Sequence, residues 1–168
     1  MNVDDLRAIQ APLKQRYREE PKAAVVTLSA EGDLGDGIAC NVATGRALVE
    51  AGLHPATGGT GALACSGDML LQALVACAGV TLSAVATSLG IELRGAHLRA
   101  EGDLDFRGTL GVDKTARVGF ERIRLLIDLD TDAPDEQRRK LLELTERYCV
   151  VFQTLSRSPE LRVSATTR

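Results

Sequence analysis

"SGDMLLQALVACAGVTLSAVATSLG", residues 66–90, decides how this chain must fold. Ser66 is a helix-capping candidate, Asp68 puts a carboxylate where the helix dipole favours one, and Gly90 offers a left-handed C-cap, so the stretch predicts one long helix. Apolar or small residues cover nearly every face of it. A helix of that kind is buried on all sides or sits in a membrane. Met69 to Ala86 reaches the lower length for a span, but Gln72, Thr81 and Ser83 interrupt it and no aromatic or basic anchors flank it, so burial within protein is the expectation and a membrane is not. One thin sheet cannot cover such a helix. A homodimer that packs two of them together would.

Working outward, 168 residues suffice for one substantial core. Asp4 to Glu20 favour helix, with Pro12 marking a break and Pro21 the end, which predicts an N-terminal helical arm over 1–22. From Ala23 to Val49 the β-branched Val25, Val26 and Thr27, the glycine-rich EGDLGDG and the run IACNV predict a hairpin or short meander. GLHPATGGT, residues 52–60, is punctuation. Beyond the long helix, Ile91 to Asp130 reads as antiparallel strands, with Ile123, Leu125, Ile127 and Leu129 on one face. Thr131 or Asp132 is placed to cap a second long helix, APDEQRRKLLELTERYCVVFQTLSR, and ELRVSATT reads as a last strand in which Leu161 and Val163 alternate with polar neighbours. The regular βα alternation of a doubly wound fold is missing, so the class is α+β.

The composition is 45% hydrophobic and only 3% aromatic, so Leu, Val, Ile and Ala build the core. A net charge of −3 offers no positive field for a phosphate backbone, and nucleic acid is not an expected partner. The charged N-terminus lacks the features of a secretory signal, which makes the cytoplasm the expected location. Cys40, Cys65, Cys77 and Cys149 form no CxxC, and only His54 and His97 could add nitrogen ligands; zinc spacing is absent, and no metal or other cofactor is expected. GDLGDG and GTLG read as turns, because no GK[ST] follows them. A reducing compartment disfavours permanent disulfides, which leaves free thiols or a cycling redox pair.

Cys77, in LLQALVACAGVTL, and Cys149, in LTERYCVVFQTL, both lie mid-helix among apolar neighbours. Unpaired cysteine is among the residues most often buried, so both can be core fillers. Equally, one sulfur can attack a peroxide while the other closes the intermediate as a disulfide. Spacing leaves both readings open. Cys40 and Cys65 read as structural, although a helix start such as the one after Cys65 lowers a thiol pKa. His54 reads as a loop residue and His97 as a surface or half-buried strand residue.

Gly58-Gly59, then SGDMLLQALVAC ending in Cys77, then RYCVVFQTL around Cys149 together resemble the OsmC/Ohr family of osmotically inducible and organic hydroperoxide resistance proteins. The resemblance runs from about Ala23 to the C-terminus, so residues 23–168 would form one OsmC-like domain. It implies an intertwined homodimer with antiparallel sheets wrapped around central helices set back to back. It further implies that Cys77 attacks an organic or hydrogen peroxide, that Cys149 condenses with the resulting sulfenic acid, and that an external dithiol resets the pair. The alternative is an OsmC-like protein without turnover, which binds a small apolar or electrophilic ligand or serves a structural stress role. Family members with strong peroxidase activity carry an arginine from an early strand, oriented by a glutamate at the start of the Cys77-type helix. Here the glutamate position falls on Gly67, with Asp68 the neighbouring carboxylate, and the usual proline there is Ser66. Arg46 is the nearest arginine to the early region and Arg107 a second candidate. Val150 stands where a proline commonly follows the second cysteine.

Overall fold

A computed structural model describes residues 32–34, 39–43, 48–111 and 113–167, together with Asn2, Asp4, Ala8, Ala11 and Glu19. Most of the N-terminal arm and Arg46 lie outside the described residues; of the five in the arm, Asp4, Ala8, Ala11 and Glu19 are helical. Among the described residues the chain runs through β1 (Gly32–Leu34), β2 (Ala39–Ala43), β3 (Leu48–Gly52), a 3-10 turn (Pro55–Thr57), β4 (Ala64–Cys65) and α1 (Ser66–Leu89). It continues through β5 (Gly95–Leu104), a single helical turn (Phe106–Thr109), β6 (Phe120–Asp130), α2 (Asp135–Tyr148) and α3 (Val150–Ser156). Helices and antiparallel sheets are segregated, as the α+β reading requires.

The meander expected upstream is β1–β2–β3, all antiparallel, and it places Cys40 on β2. The two-residue β4 joins β3 in parallel and leads straight into α1. The glycine pair serves the loop between them. Gly58 has φ +92°, and a Cβ on Gly59 would fall 1.7 Å from the Leu53 carbonyl oxygen, so a side chain at 59 has no room. His54 Nδ1 accepts from the Ala56 N–H at 3.0 Å and its ring stacks on Phe106, a loop role as expected.

β5 and β6 form a long antiparallel hairpin whose period-two pattern turns Ile123, Leu125, Ile127 and Leu129 inward. α1 lies on that inner face, and α2 and α3 pack beside it. Two clusters string along α1. Leu82, Val85, Ala86, Ile91 and Leu141 make one; Leu74, Ala78 and Cys149 make the other, with Cys77, Leu98, Ala100 and Phe152 against it. Each fully buried leucine contributes about 1.5–3 kcal/mol through removal of its surface from water.

Four expectations change. Within one chain α1 is buried along one flank, not all round: Ala73, Ala76, Val80 and Ser83 lie on an open face, with Val80 73% exposed. α1 is long and apolar enough to cross a membrane, with mean hydropathy 2.0. Its cap is Cys65, without a side-chain hydrogen bond, while Ser66 is already helical. The next helix begins after Pro134, not at a Thr131 or Asp132 cap, because Thr131 Oγ1 accepts from Ala133 N–H at 3.2 Å and Asp132 pairs with Arg94. Finally, residues 157–167 form no strand. Glu160 and Arg162 pair while Leu161 and Val163 stand exposed; alternation sets the pattern, but a strand also needs a partner ladder, and among the described residues none pairs with this segment.

Candidate functional site

The fold brings Cys77 and Cys149 together. α1 carries Cys77 in mid-helix, half-buried beside the open face, and the α2–α3 segment lays Cys149 over it at 1% exposure. The two thiols pack into one cluster, each bearing on the acidity of the other, and neither is bonded in a disulfide.

Cys149 does not lie mid-helix. It is the hinge between two helices: α2 ends at Tyr148, Cys149 takes an extended backbone (φ −71°, ψ 108°), and α3 starts at Val150. Local sequence contributes. The β-branched pair Val150-Val151 follows it directly, a poor sequence for continuing a helix, and Cys149 N–H closes α2 onto the Thr145 carbonyl at 2.9 Å.

That break supplies what a buried thiolate needs. Burial pushes the Cys77 thiol up, but the Val151 N–H, the Cys149 thiol, the Val150 N–H and the Thr81 hydroxyl outweigh it and hold Cys77 below the ordinary thiol range. Thr81 Oγ1 already donates to the Cys77 carbonyl at 2.8 Å. Its one proton cannot serve the sulfur as well, so the two amides and the neighbouring thiol carry the effect. Cys149 goes the other way. Burial and the adjacent Cys77 push it up, against the Phe152 and Val151 N–H groups, which face its sulfur without closing a capping bond. The pair is therefore polarised, with the Cys77 thiol made more acidic and the Cys149 thiol less so.

One cavity reaches Cys149 and a second lies beyond Leu74 and Phe152, which pack in the cysteine cluster. One, of about 300 Å³, is lined by Ala78, Leu125, Thr145, Glu146, Cys149 and Phe152. The other, of about 510 Å³, has an apolar wall of Leu70, Leu74, Phe120 and Leu155 and two cations, Arg117 and Arg122. Cys77 lines neither; it meets solvent along α1.

Arg46 lies outside the described residues, and Asp68 is not brought to the sulfurs. Asp68 is exposed nine positions before Cys77, about 13 Å along the helix axis, and among the described residues it has no ion-pair partner. Arg107 lies in the single turn after β5. Gly67 is backed by the Phe120 ring, 3.4 Å from where a Cβ would stand, so an aromatic side chain occupies the space beside the missing glutamate. Among the described residues no arginine is one of the principal groups acting on Cys77. His97 is exposed on β5, and Cys65 is half-buried at the start of α1. Among the described residues no cluster of His, Cys, Asp or Glu could hold a metal. Sequence reasoning sought a cation and passed over Val150 and Val151, whose one visible signal is the β-branched pair behind a cysteine.

The fold resembles three solved structures. An OsmC-like protein from Mycoplasma pneumoniae superposes with TM-score 0.65 at 14% identity, over 78% of this chain and 88% of that one. An organic hydroperoxide resistance protein OsmC from Legionella pneumophila gives 0.61 at 17%, over 79% and 90%. One from Elizabethkingia anophelis gives 0.61 at 17%, over 78% and 89%. No curated protein matches the sequence. The profile described as OsmC-like protein matches residues 59–164, a span that holds both cysteines and every helix from α1 on, and the chain belongs to that family.

Proposed function

We propose that this protein is a thiol-dependent peroxidase that reduces organic hydroperoxides or hydrogen peroxide through Cys77 and Cys149. One observation carries the reading: two cysteines from distant parts of the chain come together, and their surroundings make the Cys77 thiol more acidic and the Cys149 thiol less so. The Cys77 thiolate attacks the distal oxygen of ROOH, the O–O bond breaks, and the alkoxide leaves and takes a proton to give ROH. Cys77 becomes a sulfenic acid. Cys149 then attacks that sulfur, the S–O bond breaks, and water leaves as the disulfide forms. An external dithiol reduces the disulfide by two exchange steps and is itself oxidised, so each cycle turns ROOH and a dithiol into ROH, water and a disulfide. Family membership and the hydroperoxide resistance proteins of like fold support a role in peroxide resistance.

The open face of α1 supports a homodimer, since Ala73, Ala76 and Val80 present an apolar stripe beside Cys77 that a second copy would cover. Two free thiols in contact fit the reducing cytoplasm, where a dithiol reductant is at hand. The test is a titration. One equivalent of an alkyl hydroperoxide should consume two thiols per chain and a dithiol should restore them; survival of both thiols in excess peroxide overturns the proposal and leaves the family fold as a binding protein.

A further inference from the structure

The hinge at Cys149 leaves a carbonyl to be accounted for. In an uninterrupted helix the Val150 N–H would bond to the Glu146 carbonyl and the Val151 N–H to that of Arg147. Neither bond forms: both N–H groups face Cys77, the Val151 one facing the Cys149 sulfur as well, and helical bonding resumes only where the Gln153 N–H donates to the Cys149 carbonyl at 2.9 Å. The Glu146 carbonyl is not orphaned. Gln153 Nε2 donates to it at 2.8 Å, reaching back seven residues. Gln153 thus holds both sides of the hinge, its backbone tied to Cys149 and its side chain to the last turn of α2. With that acceptor already occupied, straightening the helix gains less, and the two amides have no better partner than the sulfur.

We propose that Gln153 is a positioning residue for the Cys77 thiol: its side-chain amide holds the α2–α3 hinge open and so keeps the Val150 and Val151 N–H groups aimed at the sulfur. The inference rests on the reading of Cys77 as the reactive thiol. Cys149 is the titratable group facing Cys77, and Glu146 lines the adjoining cavity; neither is altered in the test.

The experiment measures the pH dependence of Cys77 alkylation by iodoacetamide in the full-length protein, with the site of modification read by peptide mass spectrometry. Gln153→Met keeps the length of the side chain without the donor, and Gln153→Asn keeps the amide without the reach. Both variants should remain folded by circular dichroism and shift the Cys77 midpoint up by about half a unit, read as about threefold slower alkylation below it. A folded variant with the wild-type midpoint overturns the role of Gln153 and leaves the peroxidase reading intact. Loss of fold in both variants also overturns it, since Gln153 would then be structural. A wild-type midpoint no lower than that of free cysteine sinks both readings. A shift in the variants together with thiols that survive peroxide keeps the positioning role and removes the peroxidase.

Discussion

Each of the two cysteines rides on a long helical segment, and the segments are built differently. α1 runs unbroken for 24 residues, so its backbone N–H groups are spent on its own carbonyls and it has nothing to offer the sulfur it carries. The α2–α3 segment breaks at its cysteine, and the break turns Val150 and Val151 N–H groups outward onto Cys77. The intact helix presents a thiol on a rigid support; the interrupted one supplies donors that lower the pKa of that thiol. The family position after the second cysteine, commonly proline, is Val150 here, and the replacement adds an N–H that proline lacks.

The largest effect should separate the two supports by chemistry. Cys77→Ser should cut peroxide consumption by roughly 100-fold or more, since the attacking group is gone. Cys149→Ser should still consume one equivalent and stop at a sulfenic acid, trapped with dimedone and read by mass spectrometry. Equal loss in both variants, with no trapped acid, would erase the distinction between attacking and resolving sulfur.

A smaller effect concerns pH. Because Cys77 sits below the ordinary thiol range and Cys149 above it, alkylation of Cys77 should set in below the pH of free cysteine and that of Cys149 above it. Stability follows with opposite signs. Ionised Cys77 contributes stability that is present above its unfolded pKa, near 8.5, and is lost as pH falls through its lower folded value. Cys149 costs stability once pH passes the unfolded value, because burial keeps it protonated while the unfolded thiol ionises. Urea denaturation of Cys149→Ser should therefore show a shallower alkaline decline than wild type.

The smallest effect probes the intact helix alone. Gly79 lies in mid-α1, and a Cβ there would meet Leu98 at 3.9 Å, an ordinary contact. Gly79→Ala should raise stability by about 0.5–1 kcal/mol in urea denaturation while leaving Cys77 alkylation unmoved. A change in alkylation would mean that the support, and not the break opposite, tunes the sulfur.

Much of this is legible in the sequence. The apolar run from Ser66, the Gly90 stop and the inward face of β6 follow from periodicity and end signals, which depend on near neighbours in the chain. The two cysteine contexts, read with the glycine pair, already pointed to the family. The thiolate-stabilising groups were not legible, because backbone N–H groups are the same in every sequence and their direction is set only when a helix stops. Cys149 looked mid-helix because LTERYCVVFQTL carries helical residues on both sides; the hinge arises where packing over Cys77 and two β-branched valines win against propensity. ELRVSATT shows the same limit from the other side, with a strand pattern but, among the described residues, no strand paired to it.

By itself, then, the sequence determined the class of fold, the identity of the two thiols and the helix that carries the first. Only the tertiary structure decided that they come together and that the Val150 and Val151 amides face Cys77. The physical reason is that a side chain's type is local information, while the partner of a buried sulfur depends on which distant backbone is left with unspent donors.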